Sequence, residues 1–167
     1  DKVAYIRLNV EVEDFLPSDV EMTAVFPNAN FSYALDKTGK HSVVAQYSRT
    51  ISRPSFWNLT PRRMQISDYT YQTGNPALRP QFVNQYSLTA VLGYKYSLTF
   101  VVQNIKDDIQ QKVVSDALNP NMMNLTHENL PTTNQYAVIA SLPITLAKWW
   151  DWNTNLTGGI LEQRLDA

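Results

Sequence analysis

The residues able to do chemistry are few and badly spaced for it. The chain has two histidines and no cysteine, so disulfides, thiolate metal sites and cysteine nucleophiles are all excluded. His41 falls in a turn or at a strand start and His127 in a long link, and neither has partners at metal or triad spacing. Asp107 and Asp108 are adjacent; in extended backbone they point to opposite faces and cannot act as an acid–base pair. Catalysis is therefore not expected, and no cofactor or metal site is either. The side chains with recognition chemistry concentrate in one stretch, Arg53–Gln81, which carries Arg53, Trp57, Arg62, Arg63, Tyr69, Tyr71 and Arg79. Aromatic and arginine residues are the usual hot-spot types for ligand or protein contact, and these seven are the candidate contacts.

The elements that must position them are strands. Nine Tyr, four Trp and six Phe accompany many Thr, Asn, Ser and Gln, with only 17% charged residues. Aromatic and Thr side chains suit a pleated surface. The net charge is −1 with scattered basic residues, so no footprint for nucleic acid is present. No apolar run of about 18 residues exists, which excludes a transmembrane helix but leaves strands of about 9–11 residues allowed. Four sequons, at Asn30, Asn58, Asn124 and Asn155, match a glycosylation pattern that a chain rich in Asn, Ser and Thr produces by chance.

Segments of period two recur along the chain. Val3–Glu13 sets Ile6, Leu8, Val10 and Val12 against Arg7, Asn9 and Glu11. Ala29–Asp36 sets Phe31, Tyr33 and Leu35 against Asn30 and Ser32, and after Lys37–Lys40 a return strand sets Val43, Ala45 and Tyr47 against Gln46 and Ser48. Phe82–Tyr94 and Tyr96–Val102 form a second hairpin, Gln135–Thr145 and Trp149–Ile160 a third. The reading is all-β: an antiparallel up-and-down meander of about seven strands. Links within hairpins are about 2–5 residues and links between them about 15–30, which puts short turns at one end and long loops at the other. The long loops are expected at Asp14–Asn28, Arg53–Gln81 and roughly Lys106–Asn134, with Ile109–Ser115 as strand beyond the sheet's apolar part.

A soluble sandwich or small barrel shares this alternation but must hide its apolar face. Here the polar face holds Ser, Thr, Asn and Gln rather than Lys and Glu, which suits the wall of a wet lumen. Tyr94, Tyr96, Trp149, Trp150 and Trp152 stand beside short turns, where an interfacial girdle lies. Both point to a transmembrane barrel, with a soluble β-sandwich or small-barrel binding or adhesion module as the alternative.

Tyr47-Ser48-Arg49-Thr50-Ile51-Ser52-Arg53-Pro54-Ser55-Phe56 and Tyr69-Thr70-Tyr71-Gln72-Thr73-Gly74-Asn75-Pro76-Ala77-Leu78-Arg79-Pro80 resemble the barrel of TonB-dependent outer-membrane receptors of gut-type Gram-negative anaerobes. Asp107–Gln110, Glu128-Asn129-Leu130 and the turn from Leu142-Pro143-Ile144 to Trp149-Trp150 resemble that family too. The sequence departs from the pattern at Gln81 and Ser87, where the family usually carries Glu. The resemblance implies residence in a Gram-negative outer membrane, contact with its lipid, and TonB-dependent import of a bulky nutrient through a plugged 22-stranded barrel. Residues 1–167 would be part of one barrel domain, forming wall and external loops without the plug. The seven loop residues would then meet a nutrient, pack the loop, or touch anionic lipopolysaccharide. The chain opens at Asp1 without a leader and ends Arg164-Leu165-Asp166-Ala167 without a terminal aromatic, as a piece of a longer protein would. An odd strand count prevents antiparallel closure, so self-association of the isolated piece is expected.

Overall fold

The computed structural model describes residues 4–15, 22–116 and 118–164. Val3, Leu165, Asp166 and Ala167 lie outside the described residues, as does the middle of the expected first loop. The elements are β1 (Ala4–Phe15), β2 (Met22–Ala34), β3 (Ser42–Ser52), α1 (Phe56–Leu59), β4 (Met64–Ser67), β5 (Thr70–Gln72), β6 (Gln81–Leu92), β7 (Tyr96–Ser115), β8 (Met123–Ala147) and β9 (Trp150–Arg164). They pair in the order β1-β2-β3-β6-β7-β8-β5-β4, with β9 also on β8. Among the described residues β1 and β9 each have one neighbour, so no pairing closes the sheet.

The seven long strands are those the alternation predicts, but several run further. β2 begins at Met22 where a loop to Asn28 was expected, and β7 and β8 take up most of 106–134 as strand. The expected loop at Arg53–Gln81 holds two more strands, and β5 pairs parallel to β8, Tyr71 opposite Asn124. Contacts divide the chain into two units. One holds residues 1–50, 84–104 and 134–162, the wall; the other holds 51–83, 105–133 and 163–167.

Register fixes the faces of the wall. Ile6 pairs with Phe31 and Leu8 with Ala29, while Phe31 pairs with Ala45 and Ala29 with Tyr47. Paired residues share a face, so the apolar sets of three strands line up. On the opposite face Arg7 pairs with Asn30, and Asn30 with Gln46. Ser87 Oγ donates to Gln46 Oε1 at 3.3 Å, Thr89 and Thr99 share a 3.0 Å hydroxyl bond, and Gln103 Nε2 donates to Gln85 Oε1 at 2.6 Å. The polar face is therefore knitted together, and Gln85, Ser87, Thr89, Thr99 and Gln103 on it are half-buried. The apolar face is bare: Tyr86, Leu88 and Phe100 are 50%, 47% and 47% exposed. A protein folding in water does the reverse.

The apolar face also has two rims. The Thr89–Thr99 and Gln85–Gln103 pairs place Asn84 opposite Asn104, and Asn104 Nδ2 donates to Asn134 Oδ1 at 2.7 Å. This rank of three asparagines ends the apolar stretch on β6, β7 and β8. Next to it, Tyr47 donates its hydroxyl to Asn84 Oδ1 at 3.1 Å and lies 4.9 Å from the Tyr86 ring. At the other rim Trp149 and Trp150 stack at 6.0 Å, beside Trp152. From Tyr86 to Tyr94 is about eight residues, which at a rise of about 3.3 Å and a tilt near 45° covers about 19 Å, close to an apolar band of about 25 Å.

The three short turns share the rim marked by Trp149 and Trp150. Gly93 and Tyr94 both have positive φ, 61° and 58°, as a two-residue I′ hairpin needs, and Lys95 N–H closes it onto the Leu92 carbonyl at 3.2 Å. Tyr94 N–H donates to the Lys40 carbonyl at 3.1 Å and its hydroxyl to the Thr38 carbonyl, which ties this turn to the first. In that first turn the Thr38 hydroxyl and the His41 amide both donate to Asp36, holding its carboxyl at about 2. Contacts from Asn104 to Asn134, Asp107 to Asn129 and Lys112 to Glu128 descend β8 as they ascend β7, so the two strands are antiparallel and the β8–β9 turn comes to the same end.

Ala90 and Leu98 lie about midway along the apolar band, so in a bilayer Leu98→Arg should cost about 2–4 kcal/mol while the neighbouring Thr99→Arg, on the polar face, costs under about 1 kcal/mol. Equilibrium unfolding of both variants from lipid vesicles checks this; equal penalties would contradict the face assignment.

Candidate functional site

The second unit is organised around one glycine. Ser55 caps α1, its Oγ accepting the Asn58 N–H at 3.3 Å, and Thr60 closes the turn onto the Phe56 carbonyl. Gly74 then donates its N–H to the Thr60 carbonyl at 3.0 Å, and Asn75 donates to the Asn58 carbonyl at 2.6 Å. A Cβ at position 74 would sit 2.4–2.8 Å from the carbonyl oxygens of Thr60, Trp57 and Asn58, so only glycine fits. Asn75 follows with both ends of its amide in use. Its Oδ1 accepts the Ala77 N–H and its Nδ2 donates to the His127 carbonyl, each at 3.0 Å.

Three short sequence elements far apart in the chain meet beyond that turn. Asn129 Oδ1 accepts the Arg79 N–H at 2.8 Å, while its Nδ2 donates to the carbonyls of Arg79 and Asp107 at 2.9 and 2.7 Å. Asp107 has φ 55°, a kink within β7, and its carboxylate pairs with the Arg79 guanidinium at 2.7 Å. Asp108 is 3% exposed and receives Gln110 Nε2 at 2.9 Å. The two carboxylates thus serve separate partners. Gln81 occupies the position where the resemblance leads one to expect Glu, and its Oε1 still accepts the Ile109 N–H at 2.9 Å. A neutral amide meets that demand as well as a carboxylate does.

The β4–β5 hairpin is held by a second cluster. Tyr71, 8% exposed, donates its hydroxyl to Asp116 Oδ2 at 2.8 Å. Arg63 lies 3.7 Å above the Tyr71 ring and 3.6 Å from the same carboxylate, with Nη2 against Met122 Sδ. The Leu118 amide, then the Tyr71 hydroxyl, hold the Asp116 carboxyl below its usual range, and the same hydrogen bond pushes the Tyr71 phenol up. Backbone bonds from Met123 N–H to the Tyr69 carbonyl and from Thr73 N–H to the Leu125 carbonyl seat β5 on β8.

The seven candidate residues therefore divide. Arg63, Tyr71 and Arg79 are engaged within the unit. Trp57 and Arg62 line an open cavity of about 250 Å³ together with Thr60, Met64, Gln72 and Gly74. Tyr69 is 68% exposed on the hairpin, and Arg53 is exposed where β3 has ended. Asp116 and Asn129, which organise the unit, had no mark in the sequence as side chains with a role; Asn129 lay inside a motif, Asp116 in none.

Asn129→Ala would strip three backbone groups of their partner, at about 2–3 kcal/mol, and Gly74→Ala would force α1 and the Gly74–Asn75 segment apart. Both should raise protease cutting within 53–81 without moving the wall's strand signal in infrared spectra. Because the Asp116 carboxyl is depressed, its contribution is present above the ordinary carboxylate range and fades as pH falls below it. Amide protection of Tyr71 and Met123 should drop below about pH 4, and Tyr71→Phe should blunt that drop.

No curated protein matches the chain. Among solved structures, the siderophore receptor PirA from Pseudomonas aeruginosa is similar at a TM-score of 0.72 and 18% identity, covering 96% of this chain and 35% of its own. A mutant of the ferric enterobactin receptor PfeA from the same organism, in complex with enterobactin, is similar at 0.65 and 20%, covering 93% of this chain and 24% of its own. The chain thus spans about a third or less of the receptors whose fold it shares. The model of a family described as outer membrane protein beta-barrel family matches residues 9–167. With the bare apolar face between two aromatic rims, that match over nearly the whole length means that this chain belongs to the outer membrane protein β-barrel family of Gram-negative bacteria.

Proposed function

We propose that residues 1–167 are part of a single barrel domain of an outer-membrane receptor that imports a bulky nutrient, driven by TonB-type coupling through a plug carried outside this chain. The observation that carries the reading is the inverted wall: a knitted polar face of Ser, Thr, Gln and Asn for a wet lumen, and a bare apolar face for lipid. Solved neighbours named as a siderophore receptor and a ferric enterobactin receptor support a receptor role of this general kind. The chain's own contribution is wall and external loop rather than catalysis. In the loop, Trp57, Arg62 and Tyr69 are the residues left available for a nutrient, while Arg63, Tyr71 and Arg79 hold the loop in shape. A soluble adhesion module is the weaker reading, because it would leave the wall's apolar face in water.

In cells, deleting the gene and deleting the energy-coupling partner should abolish growth on the same nutrient, and removing residues 56–73 should lower uptake while the barrel still reaches the membrane. Uptake that persists without energy coupling would contradict the transport reading. The isolated chain, with unpaired edges on β1 and β9 and an apolar face built for lipid, should form dimers or larger assemblies without detergent. Light scattering that gives a monodisperse monomer at low micromolar concentration would contradict it.

A further inference from the structure

Two adjacent arginines in the second unit have opposite fates. Arg63 is neutralised by Asp116, covers Tyr71 and touches Met122. Arg62 is exposed, makes no hydrogen bond or ion pair among the described residues, and lines the cavity with Trp57, Thr60, Met64, Gln72 and Gly74. No carboxylate lines that cavity, so the guanidinium gives it a positive charge without a counter-ion. Gln72 also brings an amide with no partner among the described residues. Trp57 is 62% exposed and offers a ring, and Met64 an apolar contact.

The cavity is also built rather than incidental. Its back wall is the close approach of Gly74 to the carbonyls of α1, and its side is β5, seated on β8 by backbone bonds. About 250 Å³ is below the usual range for a drug-sized ligand, so it takes one ring and not a chain. A planar guanidinium recognises a carboxylate through two parallel bonds, an indole stacks on a flat or C–H-rich ring, and a free amide bonds a hydroxyl.

We propose that this cavity is a binding subsite for a ring-bearing carboxylic acid, of the sugar-acid or aryl-acid class, with Arg62 on the carboxylate, Trp57 on the ring and Gln72 on a ring hydroxyl. The proposal rests on the receptor reading for its biological role, the acid being one recognised part of a larger nutrient. Binding itself does not depend on transport.

The test is calorimetric titration of the full-length protein in detergent with glucuronate and benzoate as probes, against glucose, benzyl alcohol, inorganic phosphate and purified lipopolysaccharide. At least one acid should bind at least tenfold tighter than its neutral analogue and than phosphate. Arg62→Gln and Trp57→Ala should each weaken that binding at least tenfold, and Arg62→Lys less than Arg62→Gln. An unchanged protease pattern shows that each variant keeps the loop fold. Failure of both acids to bind, equal binding of acid and neutral analogue, indifference to Arg62→Gln, or tighter binding of phosphate or lipopolysaccharide would each overturn the assignment. Loop-dependent uptake with no acid binding would leave the receptor reading standing and remove this site. Arg62-dependent acid binding without uptake would do the opposite.

Discussion

The whole structure depends on strand register. With a side-chain period of two, a slip of one residue would turn Tyr86, Leu88, Leu98 and Phe100 toward the lumen and Ser87, Thr89 and Thr99 toward lipid. Nothing in a deep core corrects such an error, because only five hydrophobic residues are buried among the described ones, and Tyr71, Leu78, Ile105 and Leu130 of these belong to the second unit. The wall is fixed instead by ladders, tight turns and side-chain bonds across its polar face. The I′ turn at Gly93–Tyr94 sets the β6–β7 register, and the Thr89–Thr99 and Gln85–Gln103 bonds reinforce it further along the pair.

That dependence explains what could be read from the sequence. Alternation is imposed only where one face meets lipid and the other meets water, so the strands were legible between the two rims. Past Asn84, Asn104 and Asn134 no lipid-facing band imposes the period, apolar residues such as Ile105 and Leu130 are buried within the second unit instead, and the pattern lapses although β7 and β8 run on as strand. β7 and β8 therefore looked like loop from about Lys106 to Asn134, apart from Ile109–Ser115, which reads as strand and is the end of β7. β4 and β5 were hidden for a different reason: each is too short to show a period, and β5 is a strand because β8 offers it an edge.

The candidate site was legible as composition but not as roles. Seven aromatic and arginine residues stood out, and nothing in their types separates Arg62, which faces open space, from Arg63, which is bonded to Asp116 across 53 residues of chain. Tyr71 and Asp116 are 45 residues apart, and no local signal joins them. The motifs fared better, because glycine and asparagine carry specific backbone demands. Gly74 is dictated by three carbonyl oxygens, and Asn129 by three backbone groups it bonds at once. Gly74–Pro80, Asp107–Gln110 and Glu128–Leu130 converge because they are one structural node written in three pieces.

The claim on which all this stands is that the apolar face meets lipid and the polar face meets water. Single cysteines at Tyr86, Leu88, Phe100 and Val138, and at Ser87, Thr99 and Ser141, in the full-length protein in vesicles and in a background with every other cysteine replaced, test it directly; residues 1–167 contain none. The first set should be quenched by membrane-embedded nitroxide and shielded from a charged water-soluble maleimide. The second should react with the maleimide and escape the quencher. The opposite pattern on β6, β7 and β8 would contradict the account.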